Sequence, residues 1–481
     1  MVAETIRVAS PRGRWIVVAT VLGSSIAMLD ATVVNVALPQ IGRDFDAGID
    51  GLQWIVTGYT LTLAAFILLG GALGDRYGRR EVFLIGTVAF AISSAACGFA
   101  PNLTTLVAAR LVQGVAGALL TPGSLALLSA AIDPRDRGAA VGAWSGFGGI
   151  AAAVGPLLGG WLVDAVSWRA VFLLNIPVAA LVVAITLASV PESRSAVRVT
   201  RLDIPGAAII AIGLGTLTFG LIRASTWVTA AGIALIVAFV LVEMRSPEPL
   251  VPPRLFASRL FSVTNAVTFV VYIALSGVFF MLSLELQVVA GYSPLAAGAA
   301  ALPITILMLA LSSKTGDWAQ NHGARIPMVF GPLIAAAGLL LLLRTGPHAN
   351  YLLDVLPGVI VFGIGLSVLV APLTSTVLGS VSTDDAGIAS GVNNAVARTS
   401  GLIAVAALPA VVGLRGAGLS DADKFDAGFT TAMWICAGLL AAGALAATLI
   451  EKPEKSAKAA EVAHCSHCDV GAPLLASQSG E

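Results

Sequence analysis

Residues 15–38, WIVVATVLGSSIAMLDATVVNVAL, decide the fold, because this apolar run is long enough to cross a bilayer. A membrane-spanning helix needs about 20 apolar residues, and no small-residue cleavage site follows, so we expect a retained helix and not a signal peptide. The run carries one carboxylate, Asp30. Placing an ionised Asp at mid-membrane depth costs about 2.5–3.5 kcal/mol. We therefore expect Asp30 to handle a proton or a cationic substrate, with other helices forming a transport path around it.

The composition of the whole chain indicates a polytopic helical membrane protein. Of its 481 residues, 57% are hydrophobic and 11% are charged, and the mean hydropathy is +0.92. A soluble domain carries about 25% charged residues. Lys and Arg together number 27, as do Asp and Glu, so the net charge gives no reason to expect a nucleic-acid partner. Four cysteines in apolar runs and a polar tail do not form a disulfide framework.

Apolar runs of spanning length recur along the chain and predict fourteen transmembrane helices. We expect 204–222 and 295–313 to be the weakest, because they are short and rich in small residues. The runs are 15–38, 51–74, 82–100, 103–128, 139–163, 170–190, 204–222, 227–244, 261–285, 295–313, 327–344, 353–376, 386–412 and 429–450.

The distribution of basic residues predicts that both termini are cytoplasmic. An even number of spans places both ends of the chain on one side, and cytoplasmic loops carry an excess of Lys and Arg. With the N-terminus inside, 19 of the 27 basic residues fall in inner segments. Those in outer segments are Arg43, Arg169, Arg223, Arg344, Arg415 and Lys424.

Weak internal repeats suggest two similar six-helix halves. Gly-Asp at 74–75 is echoed at 316–317, and Arg-Asp-Arg-Gly at 135–138 by Asp-Asp-Ala-Gly at 384–387. Paired halves around a central site are a common transporter architecture. The predicted organisation is a cytoplasmic N-terminus (1–14), a first half (15–190), two inserted helices (204–244), a second half (261–450) and a disordered cytoplasmic tail (451–481).

The tail contains a cluster of soft metal ligands, His464, Cys465, His467 and Cys468. Such residues can bind zinc, but five consecutive residues are too close for all four to chelate one ion comfortably. A flexible tail without a metal site is the reading we favour.

The loop after the second helix, GALGDRYGRREV (71–82), combines an acid with three arginines and closely spaced glycines. The carboxylate of Asp75 can pair with an Arg or cap a neighbouring helix, which would hold one conformation. We therefore expect a gating role for Asp75, Arg76, Gly78 and Arg79. The alternative is ordinary positive charge at a cytoplasmic loop.

Two further spans carry features of a moving, proton-coupled path. In LVAARLVQGVAGALLTP (106–122), Arg110 is an intramembrane cation, and Gln113 follows on the same face. Such a cation needs a partner or a cavity, and Asp30 is the obvious partner; the alternative is an Arg110 that snorkels to water. The fifth helix contains a proline within a glycine-rich face, which predicts a bendable, closely packed helix. Its key residues are Gly146, Gly155, Pro156, Gly159 and Gly160.

Other residues are candidates for the substrate cavity. Glu285 is either a cation site or an interfacial carboxylate, Tyr59 either a cavity or an interface aromatic, and Arg398 forms a polar cluster with Asn393 and Asn394. The full set is Met28, Asn35, Tyr59, Gln113, Phe147, Glu285, Asn393, Asn394 and Arg398.

These motifs together resemble those of the major facilitator superfamily. GALGDRYGRREV resembles its loop between helices 2 and 3, RLVQG its helix 4 motif, and the glycine–proline pattern of residues 146–160 its helix 5 antiporter motif. LDATVVNVALP (29–39), WIVTGYTLTLAA (54–65), WRAVFLLNIP (168–177), PPRLFASRLF (252–261) and GIASGVNNAVARTSG (387–401) resemble the fourteen-helix drug:proton antiporter branch. Glu285 departs from that branch, where an aromatic or apolar residue more often precedes Leu-Gln.

The resemblance implies an all-α major facilitator fold and proton-driven export of amphipathic drugs or antibiotics across a bacterial cytoplasmic membrane. By the same resemblance, Asp30 and Arg110 match coupling positions, Asp75 the gating acid, and Gly155 with Pro156 the helix bend. We expect a monomer driven by the proton gradient without a cofactor. The alternatives are an exporter or flippase of an endogenous metabolite or lipid, a nutrient symporter, and a membrane-embedded enzyme or sensor. The chain lacks a phosphate loop, HExxH and a nucleophile elbow, which argues against an enzyme or an ATP-driven pump.

Overall fold

A computed structural model describes residues 6–194, 202–246, 249–382, 385–415 and 421–450. The predicted cytoplasmic tail, with His464, Cys465, His467 and Cys468, lies outside the described residues.

The described residues contain fourteen helices that are long and apolar enough to cross a membrane, which confirms the predicted number and the all-α fold. They are α1 (Pro11–Asp44), α2 (Ile49–Tyr77), α3 (Arg79–Gly98), α4 (Leu103–Ala131), α5 (Arg137–Ala165), α6 (Trp168–Ser189), α7 (Ile204–Ile222), α8 (Thr226–Glu243), α9 (Arg259–Val288), α10 (Pro294–His322), α11 (Arg325–Arg344), α12 (Tyr351–Gly379), α13 (Ala386–Val411) and α14 (Ala422–Ala447).

Several helices extend beyond the apolar runs that predict them. Helix α1 begins at Pro11 because the Ser10 hydroxyl accepts a hydrogen bond from the backbone N–H of Gly13 at 3.0 Å. Helix α10 continues to His322, beyond the predicted end at 313, and α14 begins at Ala422 instead of 429. Polar turns at helix ends need no apolar side chains, so hydropathy alone places these boundaries too far inward.

The helices on either side of α7 and α8 pack in the same pattern. In the first six helices, α1 packs on α5 and α6, α3 packs on α4 and α6, and α2 packs on α4. In the last six, α9 packs on α13 and α14, α11 on α12 and α14, and α10 on α12. Each contact of one group thus has its counterpart in the other, as expected for two similar halves.

Ion pairs repeat across the halves as well. Arg7, which precedes α1, bonds Asp136 at the start of α5, with Nε and Oδ2 2.7 Å apart. Arg254, which precedes α9, bonds Asp385 at the start of α13, also at 2.7 Å. The two acids lie within the sequence echo at 135–138 and 384–387, so the weak repeat corresponds to a repeated contact.

Helices α7 and α8 form a hairpin between the halves. They approach closely, because a Cβ added at Gly232 would lie 2.5 Å from the backbone nitrogen of Leu217. Helix α7 packs against α2 and α13, which come from different halves.

We call the end of the bundle where α1 begins and α14 ends the terminal end, and the opposite end the far end. At the far end the halves are joined by hydrogen bonds and backbone contacts. Gln53 donates to the carbonyl oxygens of Val405 and Ala406 at 2.6 and 3.0 Å. At the terminal end, a Cβ added at Gly138, Gly142 or Gly146 of α5 would meet no atom of the described residues within 4 Å. The described helices therefore close the far end, whereas the glycine face of α5 is open at the terminal end.

Candidate functional site

Asp30 lies in a buried polar cluster in the first half. The Asp30 side chain is 0% exposed and that of Arg110 is 2% exposed. An Arg110 Nη1–H donates to Asp30 Oδ2, so the structure brings the intramembrane cation against the intramembrane acid. The alternative in which Arg110 snorkels to water is wrong.

Amide donors complete the surroundings of Asp30. Gln113 Nε2 donates to Asp30 Oδ1 at 2.9 Å, and Asn175 Nδ2 donates to the same oxygen at 3.2 Å. Ionised carboxylates accept hydrogen bonds and donate none. With three donors directed at it, the cluster complements the ionised form of Asp30.

Arg110 is also held by groups other than Asp30. Its Nε donates to the carbonyl oxygen of Ile55 at 3.1 Å, and Nη1 also donates to Gln113 Oε1 at 2.8 Å. Its guanidinium carbon lies 4.3 Å from the ring centroid of Tyr59, a cation–π arrangement. Tyr59 is 1% exposed and therefore belongs to this cluster, not to an interface belt.

Sequence reasoning missed two residues of this cluster. Asn175 is itself one of the amide donors, and Ser94 accepts hydrogen bonds from both amides. Asn175 Nδ2 and Gln113 Nε2 donate to Ser94 Oγ at 2.9 and 3.1 Å, and Ser94 donates to the carbonyl oxygen of Phe172 at 2.9 Å. Asn175 follows an interruption of α6 at Leu174. An amide within an apolar run was a usable signal for Asn175, whereas a single Ser in α3 gave none.

Helices α2 and α4, which carry Tyr59 and Arg110 of this cluster, pack closely against each other. A Cβ added at Gly114 would lie 2.2 Å from the carbonyl oxygen of Tyr59, and one added at Gly70 would lie 2.1 Å from that of Ala118. Small residues allow such approach between membrane helices. Thr62 Oγ1 donates across the same contact to the carbonyl oxygen of Leu111 at 2.7 Å.

The predicted gating loop is held by an acid that the sequence reading did not single out. Asp75 Oδ1 lies 2.7 Å from Arg79 Nη2, and Arg79 Nη1 reaches the carbonyl oxygen of Ala126 at 3.4 Å. Glu192, just after α6, accepts from the backbone N–H groups of Arg80 and Glu81 at 3.1 and 3.3 Å. A carboxylate at this helix N-terminus stabilises it.

Gly78 is required where α2 turns into α3. Its φ is +132°, and an added Cβ would lie 2.9 Å from the Glu192 carboxyl group. Arg76 does not join the Asp75 pair; its guanidinium lies over the ring of Tyr77 at 5.4 Å.

The glycines of α5 divide into two groups. Those near the far end meet backbone: a Cβ at Gly159 would lie 3.1 Å from Val33 Cα, and one at Gly160 would lie 2.5 Å from the Pro294 carbonyl oxygen. A Cβ at Gly155 would lie 2.1 Å from Thr32 Oγ1. The backbone of Pro156 approaches α10 closely, because a Cβ added at Gly298 would lie 2.2 Å from the Pro156 carbonyl oxygen. A Cβ added at Gly146 would meet none of the described residues within 4 Å, so Gly146 does not belong to this packing face.

The remaining cavity candidates do not form one group. Met28 Sδ lies 3.3 Å from the Cβ position of Gly148, and Phe147 is 54% exposed. Asn35 Nδ2 bonds the carbonyl oxygen of Ala31 at 3.3 Å in its own helix. Met28 and Asn35 lie about two turns apart on α1, and Phe147 lies on α5.

The predicted polar cluster of α13 splits in two. Arg398 Nε donates to Asn394 Oδ1 at 3.3 Å. Asn393 instead donates to Asn265 Oδ1 and Thr268 Oγ1 of α9 at 3.1 and 2.9 Å. Consecutive helix residues point about 100° apart, so the two asparagines face different neighbours. Glu285 is 0% exposed and lies inside the protein near the end of α9.

Comparison with known proteins gives a consistent answer. Residues 20–406 match the Major Facilitator Superfamily. The chain is 36% identical over 408 residues to the multidrug resistance protein Stp of Mycobacterium tuberculosis (strain CDC 1551 / Oshkosh), covering 82% of this chain and 75% of Stp. It is 34% identical to the puromycin resistance protein pur8 of Streptomyces alboniger over 461 residues, covering 92% of each.

Solved structures share the fold at low sequence identity. A bacterial homologue of the human lysosomal transporter Spinster has a TM-score of 0.65 at 16% identity, over 92% of this chain and 97% of its own. A D-xylose–proton symporter has a TM-score of 0.64 at 14% identity, over 90% and 96%. Fourteen spanning helices, the paired halves and these matches show that this multi-pass membrane protein belongs to the major facilitator superfamily.

Proposed function

We propose that the protein is a proton-coupled antiporter that exports amphipathic, drug-like molecules by alternating access. The buried Asp30–Arg110 pair, with its amide donors, is the observation that carries this proposal. Relatives named for multidrug and puromycin resistance support the substrate class.

The energetics of the pair give a reason for coupling. Protonation of Asp30 would leave Arg110 as a buried cation without its counter-charge, and breaking such a pair costs about 3–5 kcal/mol. The protein would avoid this cost by rearranging around Arg110 when the proton binds. One proton moving down a potential of 100 mV supplies about 2.3 kcal/mol, which is of similar size.

The closed far end and the open glycine face of α5 at the terminal end support alternating access. If the termini are cytoplasmic, as the basic loops predict, this conformation faces the cytoplasm, where a drug enters before export. Export then requires the far-end contacts between α1, α2 and α5 of the first half and α9, α10 and α13 of the second to open. Asp30 would exchange its proton during that change, since it is inaccessible here.

The test is Asp30→Asn in inverted membrane vesicles, with Asp423→Asn as the matched control. Asp423 is an exposed carboxylate on α14, so its substitution makes the same chemical change outside the cluster. Energised vesicles should accumulate puromycin with wild-type and control protein, whereas Asp30→Asn should show no proton-driven accumulation at equal protein level. Wild-type accumulation by Asp30→Asn would refute the proposed coupling.

Two further measurements test direction and substrate class. Proton flux opposite to drug flux is expected, whereas flux in the same direction would indicate a symporter. A susceptibility panel with and without the gene should show protection against amphipathic antibiotics. Protection against none of them, together with export of a cell metabolite or lipid, would favour the alternative substrate class.

A further inference from the structure

Glu285 is a buried acid that the Asp30 cluster does not use. It lies in the last turn of α9 and is 0% exposed. Neither of its side-chain oxygens has a hydrogen-bond donor among the described residues. A buried carboxylate without a partner costs several kcal/mol, whereas a neutral carboxylic acid costs much less.

The charged group beside Glu285 is another acid, Asp426 of α14. Helices α9 and α14 pack together, and Asp426 Oδ1 lies 3.8 Å from the Cβ position of Gly346, so it is held against the α11–α12 loop. Two ionised carboxylates can only accept hydrogen bonds and repel each other. One proton makes one acid a donor to the other and removes the repulsion.

Several other charged groups on elements packed against α9 are engaged elsewhere. Asp30 bonds Arg110, and Arg254 bonds Asp385. Arg398 bonds Asn394, and Asp354 accepts from the backbone N–H of Asn350. At the far end of α1, Arg43 bonds the Pro39 carbonyl oxygen and Asp44 bonds Trp168. Lys424, the cation of α14, is exposed, and Asp426 is the charged group that acts on Glu285 among the described residues.

We propose that Glu285 and Asp426 share a second proton, separate from the proton assigned to Asp30, and that this proton holds the far end closed. The link to closure lies in the residues two positions either side of Glu285. Ser283 Oγ donates to the carbonyl oxygen of Asn35 at 3.1 Å, and Gln287 Nε2 donates to that of Val36 at 3.1 Å.

One turn of α9 thus seals the two halves on its α1 side and holds the acid pair on its α14 side. Opening the far end separates this turn from α1 and admits water, which favours ionisation of Glu285. By linkage, the closed far end binds the proton more tightly, so a rise in external pH favours opening. This step rests on the alternating access of the proposed function, whereas the bound proton does not.

The bound proton is tested by infrared spectroscopy of the full-length protein in nanodiscs at neutral pH. Glu285→Gln should lose a carbonyl stretch typical of a protonated carboxylic acid, and Asp423→Asn should keep it. Asp426→Asn should shift the loss of this band to lower pH, because an amide can donate to ionised Glu285. An unchanged band in Glu285→Gln would overturn the proposal.

The link to closure is tested with spin labels at Thr104→Cys and Pro347→Cys, exposed far-end positions in different halves. Cys465 and Cys468 are replaced by Ser to prevent labelling of the tail. The wild-type separation should increase as pH is raised, whereas Glu285→Gln should keep the short separation throughout. If the wild-type separation does not depend on pH, or if it increases equally in Glu285→Gln, the proton on Glu285 and Asp426 does not hold the far end closed.

The same labelled protein carrying Asp30→Asn separates the two proposals. Its pH-dependent opening should persist, because Glu285 and Asp426 both lie in the second half, away from Asp30. Normal drug export by Asp30→Asn would refute coupling at Asp30 without altering the infrared result for Glu285.

Discussion

Adding one methyl group at Gly160 should open the far end of the transporter. A Cβ at this position would lie 2.5 Å from the carbonyl oxygen of Pro294, and 2.6 and 2.8 Å from Cα and N of Leu295. All three atoms are backbone, so no flexible side chain can move aside. Helices α5 and α10 would have to separate by about 0.5 Å to bring the contact with Pro294 to 3.0 Å, below which real Cβ contacts are essentially absent.

Overpacking of this kind costs typically about 1–3 kcal/mol. The contact joins the two halves at the far end, and the proposed alternating access would separate it, so the cost should fall on the closed state. A loss of 1.4 kcal/mol changes an equilibrium about tenfold, so the ratio of closed to open molecules should fall by about 5- to 150-fold. The methyl group should therefore shift the population and leave the fold intact.

The matched control is Gly146→Ala in the same helix, where an added Cβ would meet no described residue within 4 Å. Both variants gain the same intrinsic helix propensity, so the difference between them reports the contact with α10. The assay is the distance distribution between spin labels at Thr104 and Pro347. Gly160→Ala should populate the longer separation and Gly146→Ala should resemble the wild type. Equal distributions in the two variants would refute the assignment of this contact to closure.

Three further changes test other parts of the structure. Arg110→Gln should shift the pH profile of drug export along the pH axis, and a uniform loss of rate at every pH would contradict a tuning role. Gly78→Ala should lower export more than Glu192→Gln, because the first imposes backbone strain at φ +132° as well as a clash with the Glu192 carboxyl; equal rates would contradict this. The hydrogen bond from Arg7 lowers the pKa of Asp136 from its ordinary value of 3.8. The ion pair is complete above pH 3.8 and is lost only as pH falls through the lowered pKa of Asp136. Asp136 therefore does not titrate between neutral and mildly acidic pH, so Asp136→Asn should keep the shape of the wild-type export profile in that range. A shifted profile would contradict this.

Hydropathy and charge in the sequence are sufficient for the number of helices and for the pairing of Asp30 with Arg110. Fourteen apolar runs can be counted, and two opposite charges within spans have few other ways to be satisfied. Glu285 was visible in the sequence for the same reason, although the sequence did not show that its side chain is buried inside the protein. A charge in a membrane span draws attention because its cost is large and its solutions are few.

Neutral polar residues were beyond sequence reasoning, because the direction in which they point depends on packing. Ser94 joins the Asp30 cluster only because α3 and α6 meet there, and Asn393 turns towards α9 while Asn394 meets Arg398. Gln53 closes the far end through carbonyl oxygens of α13, a contact that no local pattern predicts. In the proposed alternating access, contacts between the halves also change, so a single pattern of residues cannot specify them.

The most direct test of the account is proton release on drug binding, because it asks whether Asp30 exchanges a proton against substrate. Purified protein in weakly buffered detergent solution is mixed with puromycin over a pH series, and released protons and bound drug are measured together. The account predicts that the wild type and Asp423→Asn release protons as drug binds, whereas Asp30→Asn binds drug and releases fewer protons per bound drug, because only the proton assigned to Glu285 and Asp426 remains. Equal proton release by Asp30→Asn and the wild type would contradict it.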